Sequence, residues 1–150
     1  MHLTSAEANM KKIIVMITAY NEEETISQVI KDIPRTVNDH YVEILVINDG
    51  SIDRTVEEAK KAGADYIVDN KHNQGLGVNF KKGIEAALKL GADIIVNIDG
   101  DGQFNPEDIE ELTQPIIHRE ADIVTASRFL SPEMTKDMSR IKKIGNKGFT

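Results

Sequence analysis

At 150 residues with an apolar fraction of 40%, the chain is long enough to bury one core and too apolar to be a disordered segment. Its 18 basic and 25 acidic residues leave a formal charge of -7, which argues against nucleic acid or an anionic membrane as a broad-surface partner and leaves only local basic sites open. The absence of cysteine excludes disulfide frameworks, thiol nucleophiles and thiolate metal sites, and it assigns no compartment.

The opening MHLTSAEANM lacks the apolar run of a signal peptide, and residues 1–11 read as a flexible segment. Residues 12–19 (KIIVMITA) are a nearly continuous, β-branched run, the mark of a strand covered on both faces. Ile26, Val29, Ile30 and Ile33 then recur at helical spacing, predicting a helix from near Glu22 to the break at Pro34. Residues 42–47 (VEILVI) predict a second buried strand. A helix capped by Ser51 or Asp53 follows, running to Ala62 and stopped by Gly63. Residues 64–68 predict a third strand, and residues 77–90 a helix with Phe80, Ile84, Ala87 and Leu88 facing inward and Gly91 at its end. Residues 92–98 predict a fourth strand. Asn105-Pro106 opens a helix carrying Ile109, Leu112 and Ile116, and residues 123–126 predict a fifth strand. Strands alternating with helices over short connections give an α/β class: a doubly wound, mostly parallel sheet over residues 12–129. Residues 130–150, polar and basic, read as a loop or lid.

In such sheets ligands bind beyond the carboxyl ends of the strands. Polar clusters fall there after four predicted strands: residues 18–22, 48–53, 99–103 and 127–129. Asp99 and Asp101, separated by glycine, suit a hard divalent cation completed by diphosphate oxygens and water, with Gln103 adding a carbonyl or holding a water. Spacing alone leaves two readings open, a cation site or a glycine-rich turn with solvated aspartates. Asn48 and Asp49 can hydrogen-bond a base or ribose, or make an Asx turn. Tyr20 can stack on a base or cover the sheet end. Glu22 suits a ligand contact or a helix N-terminal charge. Arg128 and Arg140 have the fork geometry for phosphate, against an ordinary solvated role. Residues 73–77 (NQGLG) lack the lysine and hydroxyl of a phosphate loop and read as a turn entering a helix. His2, His40, His72 and His118 have no metal-ligand spacing.

Taken together, ITAYNEE at 17–23, VINDGSID at 46–53, HNQGLG at 72–77, NIDGDGQFNPEDI at 97–109 and the looser TASRF at 125–129 resemble the GT-A family 2 inverting glycosyltransferases. The nearer likeness is to the dolichyl-phosphate mannose or glucose synthase branch. The resemblance implies a Rossmann-like three-layer α/β/α fold, cut short at its C-terminus relative to the family. It implies a UDP- or GDP-sugar donor, a polyprenyl (dolichyl) phosphate or saccharide acceptor, and a Mg2+ or Mn2+ cofactor. Ala19, Tyr20, Glu22, Asn48 and Asp49 match nucleotide-binding positions. Asp99 and Asp101 match the Asp-x-Asp metal motif, with Asp101 the preferred direct ligand and Gln103 beside it. Arg128 and Arg140 would face the diphosphate or a phosphate acceptor, Arg128 joining Asp101 as a catalytic group.

One departure is Asn48, where the family usually has the first of two aspartates. Asparagine keeps hydrogen-bonding capacity and loses charge. The implied location is cytoplasmic, at the membrane face in a longer protein, with membrane contact only through a lipid acceptor or a further C-terminal region. Uncovered sheet edges leave a homodimer open. A non-catalytic nucleotide-binding fragment or regulatory domain and a sugar-phosphate nucleotidyltransferase are the competing readings.

Overall fold

The computed structural model describes residues 10–126. The chain runs β1 (Lys12–Ala19), α1 (Ile26–Asp32), β2 (Thr36–Val37), β3 (His40–Asn48), α2 (Thr55–Ala62), β4 (Tyr66–Asp69), α3 (Leu76–Lys89), β5 (Ile94–Asp99) and α4 (Asp108–Ile117). β1 lies between β3 and β5 and is parallel to both. β4 adds in parallel to the carboxyl half of β3, and the short β2 pairs antiparallel with its amino half.

Alternation along the strands divides the core into two layers. Ile13, Val15, Ile17, Val42, Ile44, Val46, Ile94, Val96 and Ile98 face one side, where Ile26 and Ile30 of α1, Ala59 of α2 and Ile109 of α4 close over them. Ile14, Met16, Leu45 and Ile47 face the other side, covered by Ile84 and Ala87 of α3 and by Leu90 just after it. α1 is only 7 residues long, well below the roughly 12 at which an isolated helix becomes marginal. Burial of Ile26, Val29 and Ile30, at about 1.5–3 kcal/mol each, therefore holds it in place more than propensity does.

The chain first winds from β1 through β3 to β4, with α1 and α2 on one face. It then returns through α3 on the opposite face to place β5 on the far side of β1. The winding reverses between β1 and β5, which is the point where open α/β sheets form a crevice at their carboxyl ends.

α1 is regular from Ile26, and its first turn opens at Glu22 as expected, with the Glu22 carbonyl accepting the amides of Thr25 at 3.1 Å and Ile26 at 2.9 Å while Thr55 Oγ1 and Asp53 Oδ2 take the free amides of Glu22 and Glu23. The structure departs from the sequence expectations in three places. The inner face of α3 is Asn79, Gly83 and Ala87, while Phe80 and Leu88 are exposed. Gly83 sets this rotation: a β-carbon there would stand 2.0 Å from Met16 Sδ, so the helix packs close to the sheet along the glycine. The β2–β3 hairpin was not expected at all. Finally, residues 123–126 pair with no strand among the described residues, and Ile123 is 81% exposed. A β-branched run becomes a strand only where a ladder accepts its backbone.

Candidate functional site

The parallel ladders bring the expected clusters to one edge. Ala19 stands opposite Asn48, Asn48 opposite Asp69, and Thr18 opposite Asp99. The three loops leaving β1, β3 and β5 therefore begin side by side, and specific hydrogen bonds join them.

The loop after β1 and the loop after β3 are bonded reciprocally. Asn21 takes a left-handed φ of 55° that turns its amide to Ser51 Oγ at 2.9 Å, and its side-chain oxygen accepts the Ile52 amide at 3.0 Å. Glu22 N–H donates to Thr55 Oγ1 at 2.8 Å and Glu23 N–H to Asp53 Oδ2 at 3.2 Å. In return, the Glu23 carboxylate accepts the Arg54 amide at 3.1 Å. Ala19, 1% exposed, accepts the Asp49 amide on its carbonyl at 2.9 Å, while Tyr20 is 45% exposed beside it.

The β5 loop joins through Thr25. Its hydroxyl lies 2.8 Å from the Gly100 carbonyl and 3.0 Å from Glu22 Oε2, and its single proton serves one acceptor at a time. Gly100 donates to Thr18 O at 3.0 Å and sits so close that a β-carbon would lie 3.3 Å from Ala19 Cβ. Glu22, Asp99 and Asp101 thus belong to one framework. Asp99 and Asp101 are both exposed. Asp101 Oδ1 accepts the Gln103 amide at 3.0 Å, closing an Asx turn that leaves Oδ2 available. Among the described residues no third acidic or imidazole group joins them in a metal-binding cluster. Two carboxylates with substrate oxygens and water make a donor set that fits Mg2+ or Mn2+, which seldom occupy all-protein cages.

Asn48 and Asp49 play different parts. Asn48 is 1% exposed: its Nδ2 donates to Asp69 Oδ1 at 2.7 Å and its Oδ1 accepts from the Ser51 hydroxyl and amide. An aspartate here would set two carboxylates against each other, so asparagine suits this environment. Asp49, 5% exposed, accepts the amides of Gln74 at 2.7 Å and Gly75 at 3.1 Å. Burial alone would raise its pKa, but bonds from Asn79 and from those two amides, with the charge of Lys82, hold it below the usual 3.8. Arg128, Arg140 and the rest of the 127–129 cluster lie outside the described residues.

Sequence reasoning read Asp53 only as a helix cap and missed Thr25, Thr55, Asn70, Asn79 and Lys82. Asp53-x-Thr55 was a readable signal, since Asp53 Oδ1 accepts the Thr55 amide at 3.0 Å in a local Asx arrangement. Asn79 was readable too, as an amide placed among small and apolar residues of a helix face. Thr25 carried none, because its partner Gly100 is 75 residues away.

Residues 14–150 match the family model described as Glycosyl transferase family 2. The chain is 35% identical to UDP-N-acetylglucosamine--dolichyl-phosphate N-acetylglucosaminyltransferase of Methanococcus voltae, covering 93% of this chain and 61% of that protein. It is 33% identical to dolichyl-phosphate hexose transferase of Haloferax volcanii, covering 95% and 58%. Among solved structures, glucosyl-3-phosphoglycerate synthase from Mycobacterium tuberculosis in complex with Mg2+ and uridine-diphosphate superposes with a TM-score of 0.60 at 27% identity. That match covers 75% of this chain and 41% of that one. The chain spans roughly three fifths of the two curated relatives' lengths. The ladder order, the crevice beside β1 and the matched residues agree: this chain belongs to glycosyltransferase family 2 and carries its GT-A, Rossmann-like fold.

Proposed function

We propose that the chain forms the nucleotide-sugar half of a metal-dependent glycosyltransferase that moves a sugar from a UDP- or GDP-sugar to a polyprenyl phosphate, with inversion. The observation that carries this reading is the parallel register that sets Ala19 opposite Asn48 and Thr18 opposite Asp99, so that the loops bearing Glu22, Asn48–Asp49 and Asp99–Asp101 leave the sheet side by side at the crevice between β1 and β5. The two dolichyl-phosphate relatives support the acceptor class, and the UDP-bound neighbour supports the donor class.

The nucleoside lies over Ala19, Tyr20 and the Asn48–Asp49 turn. Asp99 and Asp101, with Gln103 alongside, hold Mg2+ or Mn2+, which when bound supplies positive charge against the leaving diphosphate. The acceptor phosphate oxygen is ionised near neutrality and needs little help from a general base. It attacks the anomeric carbon from the face opposite the diphosphate. The new C–O bond forms as the bond to the diphosphate breaks, and the electron pair departs with the diphosphate. Arg128 and Arg140 are proposed to neutralise the diphosphate or the acceptor phosphate. The reaction is placed at the cytoplasmic face of a membrane, where a lipid acceptor is presented; no helix among the described residues is long and apolar enough to cross one.

Calorimetric titration with UDP and GDP, in manganese and in EDTA, tests the reading. Wild-type chain is expected to bind one nucleotide with a manganese-dependent part that Asp101→Asn removes while the fold persists. A folded chain that binds neither nucleotide, or an Asp101→Asn variant as manganese-responsive as wild type, overturns it.

A further inference from the structure

The first turn of α3 carries a buried polar network that none of the matched motifs requires. Asn79 is 0% exposed on the helix face that packs against the sheet, a position where alanine or leucine would serve stability alone. Its Nδ2 donates to the Gly75 carbonyl at 2.9 Å, and its Oδ1 accepts Asn70 Nδ2 at 2.7 Å. Asn70, 8% exposed, accepts Lys82 Nζ on its own side-chain oxygen at 2.6 Å and donates its backbone amide to Asn48 O at 3.1 Å. The Asp49 carboxylate grips the same stretch from the β3 side, accepting the Gln74 and Gly75 amides. From the other side, the His72–Asn73 backbone presses on Gly50.

We propose that Asn79, with Asn70 and Lys82, positions the loop of residues 71–75 as the nucleoside-facing wall of the cleft. The inference rests on the nucleotide-sugar reading above and adds to it the residues that set affinity for the nucleoside end. Every bond of the network ends on this loop, on its flanks, or on the turn that leaves β3. A satisfied buried network fixes geometry more than it adds stability, since an apolar replacement would pack at least as well.

Sheet order supplies the direction. Asp99 leaves β5, and crossing β1 and β3 to the end of β4, where the loop begins, spans three strand spacings, roughly 14 Å. With the diphosphate held at Asp99 and Asp101, an extended nucleoside runs across the strand ends toward residues 71–75.

The test is titration of the 150-residue chain with UDP, GDP and manganese pyrophosphate, for wild type, Asn79→Ala, Lys82→Met and the remote core variant Ile30→Val. Asn79→Ala is expected to weaken the bound nucleoside diphosphate by about tenfold, as loss of a buried hydrogen-bond constraint implies. Pyrophosphate binding stays as in wild type. Lys82→Met shows the same selective loss to a smaller degree, and Ile30→Val changes neither ligand's affinity. Hydrogen exchange at the Gln74 and Gly75 amides should quicken in Asn79→Ala but not in Ile30→Val, which separates loop positioning from general loss of stability. Should Asn79→Ala fail to fold, Lys82→Met decides on the same criteria. Nucleotide binding by wild type with undiminished affinity in the variants overturns the inference and leaves the functional reading intact. Parallel loss of pyrophosphate binding also overturns it, because the lysine would then be serving the anion. Absence of nucleotide binding in wild type overturns both.

Discussion

Gly50 and His72 meet backbone to backbone: with Gly50 at a φ of +75°, a β-carbon on it would stand 2.5 Å from the His72 carbonyl carbon. The turn after β3 and the loop after β4 are therefore in contact where neither can yield a side chain's width.

Gly50→Ala is expected to destabilise the chain by more than about 2 kcal/mol, because the left-handed conformation alone costs roughly 1–2 kcal/mol and the clash is with main chain. Urea denaturation measures it. Gly83→Ala is the informative comparison. Its β-carbon meets the flexible end of Met16, and alanine gains about 1 kcal/mol of helix propensity, so its net cost should be smaller. Equal costs would mean that the Gly50 contact relaxes.

Thr25→Val removes the hydroxyl that donates to the Gly100 carbonyl or, alternately, to the Glu22 carboxylate, while keeping the shape of the side chain. A stability loss of about 1 kcal/mol is expected, the ordinary worth of one such bond. The manganese-dependent part of nucleotide affinity should fall further, by several-fold, because the Asp99–Asp101 turn loses its tie to the β1 loop. Denaturation and titration on the same preparation separate the two effects.

Acid should loosen the same region. In Asp53, as in Asp49, burial opposes ionisation, yet hydrogen bonds from Thr55 and the Glu23 amide hold the pKa below the usual 3.8. A carboxyl depressed on folding contributes its stability above its unfolded pKa and loses it as pH falls through the folded value. These two groups should thus leave stability level from neutrality to about pH 5 and reduce it below about pH 4. Asp53→Asn presents an amide donor to at least one of those N–H groups. It should be less stable at pH 7 and show a shallower acid slope, followed by urea midpoints between pH 3 and pH 7.

Strands buried on both faces announce themselves, and β1, β3, β4 and β5 lie where their apolar runs are. Gly63 and Gly91, at φ of 99° and 80°, end α2 and α3 as their positions imply. The β2–β3 hairpin escaped because β2 has 2 residues, although Asn38 and Asp39, at φ of 48° and 63°, form the two-residue turn that asparagine and aspartate favour. The α3 face was misjudged because hydrophobicity selects Phe80 and Leu88, whereas close packing selects Gly83. For the site, the strand-end rule brought Glu22, Asn48, Asp49, Asp99 and Asp101 to one edge. It gave no hint that Asp49 would be committed to Gln74 and Gly75, since that pairing depends on how two distant loops fit in space.

The reciprocal bonds between residues 21–23 and 51–55 have an evolutionary consequence. Surface connections ordinarily accept insertions and deletions independently of one another. Here three consecutive residues interlock with the opposing segment out of sequence order, Asn21 with Ser51 and Ile52, Glu22 with Thr55, and Glu23 with Asp53 and Arg54. Adding one residue to either segment would separate donors from acceptors that only this interlocked arrangement brings together. Related sequences should therefore change the two lengths together or leave both alone.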